Sequence, residues 1–191
     1  VPNDGDYQVR ASENNGRALN SEKGQVRLLS NVCRHRQAIM LTDRGNAHNI
    51  VCPLHRWTYD REGKLLGAPH FSDDPCLNLH QTPVQSWNGL LFKGGSESQV
   101  ARDLAGMGVA DKLNFDNYAL GRVEQHTCHY NWKTFIEVYL EDYHVAPFHP
   151  GLSGFVTCDD LAWQFGEHYS VQTVGVFKQL AQPGSPAYQK W

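Results

Sequence analysis

The sequence predicts an α+β protein in two parts, an all-β N-terminal half followed by a half that mixes helix and strand. Three observations carry this. Between residues 7 and 92 short candidate strands alternate with turn residues, and no segment of ten residues keeps a helical period. Composition shifts at Gly94, Gly95, Ser96, Glu97 and Ser98, which reads as a linker. From Trp132 to Val145, apolar residues then recur in helical rhythm at 132, 135, 136, 139, 140 and 143.

In chain order, the candidate strands are 7–10, 17–20, 25–32, 49–51, 57–59 and 89–92, broken by Gly16, Gly24, Gly45, Gly63 and the Asp73, Asp74, Pro75 turn. Such short, regular spacing suggests a small barrel or sandwich. The boundary falls between residues 98 and 99. Beyond it come a short helix over 100–106, a strand over 123–130, a helix over 132–145 and a strand over 169–177. Within that helix Trp132, Phe135, Ile136, Tyr139 and Leu140 read as core.

A chain of 191 residues with 40% hydrophobic and 19% charged residues is expected to fold as a globular protein. Its 17 Lys and Arg against 20 Asp and Glu give a net charge of -3, without the basic face that nucleic acid demands. No apolar run approaches the ~18 residues that span a bilayer, and the N-terminus has neither a basic region nor an apolar one, so a cytoplasmic protein with no membrane partner is expected. Cys33, Cys52, Cys76, Cys128 and Cys158 do not form a secreted disulfide pattern, and thiol or metal chemistry suits them better. The chain opens at Val1 without Met and ends at Trp191, so a fragment is expected.

Cys33 and His35 form a CxH pair, and after sixteen intervening residues Cys52 and His55 form a CxxH pair. A single structural zinc draws ligands from pairs spaced two to four apart, and one intervening residue makes it hard for Cys33 and His35 to chelate the same ion. Two metals side by side remove that difficulty, because each loop then sends its sulfur to one metal and its ring nitrogen to the other. One iron takes both Cys and its neighbour both His, which is the ligand set of a Rieske [2Fe-2S] centre. The alternative is a zinc site or a satisfied core group of Cys and His.

With Arg34, Pro53, Leu54 and the following Trp57, these residues resemble the Rieske domain of ring-hydroxylating oxygenases over most of residues 24–93. Respiratory-type Rieske proteins carry an extra Cys in each loop, and neither Leu54 nor Arg36, Gln37 and Ala38 supplies one. Arg34, Arg36 and Arg56 crowd the two loops and read either as a docking edge for an acidic partner or as a solvated basic edge. Cys76, Cys128 and Cys158 read as buried thiols.

The second constellation is Glu141, Asp142, Tyr143 and His144, followed by His149 after Pro147. On a continuous helix five residues subtend about 140°, so the two His diverge unless the helix breaks. Pro147 is expected to break it and to turn His149 back. Two His with an open face suit a non-heme Fe(II) centre, whose usual set is two His and one carboxylate, although two histidines near a helix end are by themselves more often surface or core residues.

The run from Asn131, Trp132 and Lys133 through Glu137, Glu141, Tyr143, His144 and His149 is similar to the catalytic signature of Rieske non-heme iron oxygenases, the alpha (terminal oxygenase) subunits of the aromatic ring-hydroxylating dioxygenase family. The resemblance implies a helix-grip-like catalytic domain, His144 and His149 as iron ligands, and Glu141 as a carboxylate bridging an iron ligand and a cluster ligand. Asn131 stands either near the iron or at the helix N-cap. The third ligand, an Asp far downstream in the family, is not located; Asp159 and Asp160 read as a surface turn.

The expected function is therefore that of a terminal oxygenase. A reductase or ferredoxin supplies electrons, a [2Fe-2S] cluster stores one, and a mononuclear Fe(II) activates O2 to hydroxylate or oxidatively demethylate a small organic, aromatic-type substrate. The resemblance implies a homotrimer in which one subunit's cluster faces its neighbour's iron. The alternative is a Rieske ferredoxin, an electron carrier that leaves residues 99–191 without a task.

Overall fold

The computed structural model describes residues 1–96, 99–118, 120–153 and 156–176. It divides into two units, one of Val1–Arg102 with Leu113–Leu120, the other of Asp103–Lys112 with the chain from Gly121 onward.

The first unit holds β1 (Asp6–Val9), β2 (Arg17–Glu22), β3 (Gln25–Ser30), β4 (Arg44–Asn46), β5 (Ile50–Val51), β6 (Thr58–Tyr59), β7 (Leu65–Gly67), β8 (Gln81–Thr82), β9 (Val84–Trp87) and β10 (Leu90–Lys93). All pairings are antiparallel. They build a five-stranded sheet in the order β4-β1-β2-β3-β8, a three-stranded sheet β5-β6-β7 and the hairpin β9-β10. Two of the hairpins close through two-residue loops with positive φ at both positions, Lys23 and Gly24 before β3, Asn88 and Gly89 before β10. That backbone matches the twist of paired strands and explains Gly at the second position.

One apolar core joins the two larger sheets. Val9, Ala18 and Leu29 come from the first, Ile50, Tyr59 and Leu65 from the second, and Met40, Leu41, Trp57 and Leu79 from the connections. Cys33 and Cys52 belong to the same core, each 1% exposed. The expected long strand over 25–32 stops at Ser30 because the chain enters the first cysteine loop, whose base is tied by Asn31. Its buried amide donates to Asn15 O and Leu41 O, both at 2.9 Å, and its Oδ1 accepts from Leu41 N at 2.8 Å. Every hydrogen-bonding position of that side chain but one lone pair is used.

Several elements differ from the sequence reading. Gly45, read as a breaker, lies within β4, where a Cβ would sit 2.7 Å from the Tyr7 hydroxyl; the glycine admits a ring rather than ending a strand. Strands β7, β8 and β9, two to four residues each, were not expected; they are too short to show alternation. Cys76 and Cys128 are exposed rather than buried.

The second unit contains α2 (Trp132–Val138), α3 (Val145–Phe148), α4 (Pro150–Ser153) and the antiparallel pair β11 (Val156–Phe165) and β12 (Ser170–Val176); the preceding helix α1 (Gln99–Asp103) belongs to the first unit up to Arg102. The expected helix over 132–145 is thus two helices with a break at 139–144. Residues 121–128 form no strand. Asp159 and Asp160 lie in β11, at its register irregularity between Thr157 and Ala162, and not in a turn. The strand expected over 169–177 is β12, and Phe177 and the linker residues Glu97 and Ser98 lie outside the described residues. Trp132, Phe135, Ile136, Tyr139 and Leu140 are 47–70% exposed rather than core; among the described residues of this unit Val145 alone is buried, and none of them forms an apolar floor under α2. No helix of the described residues is long and apolar enough to cross a membrane.

Replacing Asn31 by Ala takes their Asn31 partner from the buried Leu41 N–H and Leu41 carbonyl and from the Asn15 carbonyl. We expect a loss of about 2–4 kcal/mol, read as a lower urea midpoint at unchanged m-value.

Candidate metal centres

The two cysteine loops share one backbone design. The Cys33 N–H donates to Ala38 O at 2.9 Å and the Gln37 N–H to Cys33 O at 3.0 Å; the Cys52 N–H donates to Trp57 O at 2.8 Å and the Arg56 N–H to Cys52 O at 3.1 Å. In each loop the fourth residue after Cys has a left-handed backbone, Gln37 at φ 59° and Arg56 at φ 61°. The bridge Val32↔Ile39 and the pair Val51↔Thr58 close the two bases. Each loop therefore buries its thiol at the base and lifts its imidazole toward the rim.

The rings of His35 and His55 meet with centroids 4.7 Å apart at 69°. His55 is exposed and His35 half-buried. The Trp57 indole stacks on His35 at 4.9 Å and 5°, and Phe71 stands edge-on to both rings. Burial, then the charges of His55 and Arg36, hold His35 below the usual imidazole range, which favours the neutral form a metal requires. Its Nδ1 is buried and has no hydrogen-bond partner among the described residues. Two buried free thiols, one buried and unpartnered imidazole nitrogen, and a second imidazole in contact with that ring fit in kind the two-Cys, two-His donor set of a [2Fe-2S] cluster.

Tyr59, fully buried, was not singled out by the sequence reading. Its hydroxyl accepts from the Arg34 N–H at 3.2 Å and lies 3.7 Å from Cys33 Sγ. With the oxygen already accepting from Arg34, its O–H is free to donate to a thiolate sulfur. Burial and the Cys33 contact push the phenol well above its ordinary range, so it stays a donor at any working pH.

In the second unit, Glu141 organises the break after α2. Its Oε2 accepts from the N–H groups of Tyr143 at 2.5 Å and His144 at 3.3 Å, and its Oε1 lies 2.6 Å from His144 Nδ1. The bond to His144, together with these backbone donors, holds the Glu141 carboxyl below the usual range. His144 precedes α3 and His149 follows it, with ring centroids 5.4 Å apart at 77°. The break therefore comes before His144 and not at Pro147, which occupies the third position of α3, where no intrahelical donor is missed. Fixing Nδ1 leaves His144 Nε2 as the nitrogen for a metal. Asn131 is the N-cap of α2, its side chain accepting from the Lys133 N–H at 2.9 Å. Among the described residues no group of three or more His, Cys, Asp or Glu is gathered to hold one ion.

Residues 1–87 match the Rieske [2Fe-2S] domain, and residues 115–190 match the ring hydroxylating alpha subunit (catalytic domain). The chain thus joins an iron–sulfur domain to catalytic-domain sequence of an oxygenase. It belongs to the Rieske oxygenase alpha-subunit family. Putrescine 2-hydroxylase of Ralstonia nicotianae is 63% identical over 191 residues, which is 100% of this chain and 52% of that protein. Putrescine 2-hydroxylase of Bordetella bronchiseptica is 52% identical over 206 residues, covering 100% of this chain and 47% of the relative. The chain spans about half the length of these curated relatives. A solved quaternary ammonium Rieske monooxygenase, described in terms of carnitine oxidation and inter-subunit electron transfer, matches with a TM-score of 0.76 at 25% identity over 90% of this chain and 50% of that one.

Tyr59→Phe removes one donor to Cys33 Sγ, and in the cluster-loaded protein a Cys33 ligand then loses stabilisation of the more negative reduced state. The reduction potential should fall by about 20–60 mV, the equivalent of one hydrogen bond of ~1 kcal/mol, as read by redox titration.

Proposed function

We propose that this chain supplies the redox and iron-binding part of a Rieske terminal oxygenase that hydroxylates a short aliphatic amine. The observation that carries the reading is the presence of both donor sets in one chain, Cys33, His35, Cys52 and His55 in the first unit and, in the second, His144 held by Glu141 with His149 against its ring. A ferredoxin-type carrier needs the first set alone and leaves unexplained the catalytic-domain match over residues 115–190.

In this reading Cys33 and Cys52 hold one cluster iron and His35 and His55 the other. His144 and His149 hold a mononuclear iron, which when bound supplies the activation of O2. Glu141 fixes the His144 tautomer and ring plane through Nδ1 and is the group through which a cluster ligand of a neighbouring subunit couples to the iron. That coupling implies a closed ring of subunits, for which a homotrimer is the arrangement we propose. Electrons come from a reductase or ferredoxin. Asn131 acts by starting α2 at a fixed residue, and no contact with iron is assigned to it.

The substrate class follows the relatives. The sequence reading favoured an aromatic substrate, whereas the two putrescine 2-hydroxylases, 63% and 52% identical, support a short diamine. The test is substrate-dependent O2 consumption with a reductase over short diamines, quaternary amines and aromatic acids. Diamines should give the highest coupled rate; an aromatic acid doing so would overturn the substrate class.

Two variants separate the metal roles. His144→Ala should lose the mononuclear iron while the visible spectrum of the cluster is unchanged, and a lost cluster would reverse the assignment. Glu141→Gln should keep both metals and lower turnover about 10–100-fold, the usual cost of removing a group that orients a metal ligand. Wild-type turnover would remove Glu141 from the pathway.

A further inference from the structure

Among the described residues two buried ring nitrogens have no hydrogen-bond partner, His35 Nδ1 and Trp57 Nε1, and the rings that carry them are stacked on one another. A metal accounts for the imidazole nitrogen. The indole nitrogen needs a different account, because it keeps its proton at every working pH and can only donate. A buried donor with no acceptor is costly and rare in a folded protein.

The Trp57 side chain is held where it is. It is 1% exposed and packed in the same core as Cys33 and Cys52, with His35 on its face and Phe71 edge-on at 5.1 Å and 88°. Its backbone is tied into the second loop, where Trp57 O accepts from the Cys52 N–H at 2.8 Å. Neither cysteine sulfur accepts from Nε1, so the acceptor is a group that the described polypeptide does not supply. A buried water needs two to four polar partners, and the rings packed on the indole, His35 and Phe71, have none to offer once Nδ1 holds iron. The inorganic sulfides of a [2Fe-2S] cluster are acceptors that the two-Cys, two-His donor set would bring to this core.

We propose that Trp57 has two tasks toward the cluster: its Nε1–H donates to an inorganic sulfide, and its indole face fixes the ring plane of His35. The inference rests on the reading that Cys33, His35, Cys52 and His55 hold the cluster. It is separate from the role of Tyr59, whose hydroxyl lies against Cys33 Sγ. Trp57 keeps its proton throughout. Its hydrogen bond strengthens when one electron enters and negative charge grows on the acceptor, so Trp57 favours the reduced state and raises the potential.

The test uses the cluster-loaded chain made with tryptophan labelled with 15N at the indole nitrogen, reduced with dithionite and measured by pulsed EPR. Wild type should show one indole 15N coupling besides the two imidazole nitrogens. That coupling should vanish in Trp57→Phe, since the other four tryptophans lie outside the core that holds the cysteines. Trp57→Phe keeps an aromatic face for His35 and removes only the N–H. Its imidazole couplings should therefore persist, while reduction becomes ~3–10-fold less favourable, a potential lower by about 30–60 mV at 59 mV per tenfold. Trp57→Leu removes the face as well and should also alter the His35 coupling. Should the variants fail to assemble a cluster, the label in wild type decides alone. Two imidazole couplings with no indole coupling in wild type would overturn the proposal and assign the N–H to a buried water. An unchanged potential in Trp57→Phe would overturn it equally. A reduced chain with no coupled imidazole nitrogen would instead overturn the cluster reading on which this inference rests.

Discussion

Burial of two thiols at the closed ends of two matching loops is the constraint on which the first unit depends. Cys33 and Cys52 are each 1% exposed and are packed with Leu29, Ile50, Trp57 and Tyr59. As thiolates they need a cation or strong donors beside them, which is what the proposed cluster supplies. The loops answer that requirement with backbone geometry. Each Cys N–H and C=O is tied within its own loop, and the left-handed residues Gln37 and Arg56 complete the turn that carries each His outward. The result is a gradient from sulfur in the dry interior, through half-buried His35, to His55 at the surface.

A different device organises the second unit. Glu141 competes with helix propagation, because its carboxylate captures the N–H groups of Tyr143 and His144 that a continuing helix would bond to carbonyls four residues back. The same carboxylate also binds His144 Nδ1. Ending one helix and orienting one imidazole are thus a single act, and the short helix α3 then sets the spacing to His149.

Much of the first site was legible in the sequence because it is local. The spacings of Cys33, His35, Cys52 and His55 argued against one shared ion, and the loops that hold them lie where the strand pattern breaks. Tyr59 and Asn31 were not legible. Tyr59 acts across the fold on Cys33 and Arg34, Asn31 ties the base of its own loop to Leu41 ten residues on, and no periodicity announces such contacts. In the second half the pairing of His144 with Glu141 was visible as an i, i+3 spacing. The helix break was placed at the wrong residue, because a proline is an obvious punctuation mark and a carboxylate capturing backbone donors is not. The exposed α2 face shows the limit of amphipathic pattern: apolar rhythm says which residues seek a partner surface, not whether one is at hand.

The account stands on sulfur and imidazole binding iron in the first unit. Pulsed EPR of the reduced protein, with iron, acid-labile sulfide and zinc measured on the same sample, tests this most directly. The predicted result is iron and sulfide in equal amounts at the cluster, with two imidazole nitrogens coupled to the electron spin and both couplings altered by substitution of His35 or His55. Zinc in place of iron, or a reduced cluster with no coupled nitrogen, would contradict it.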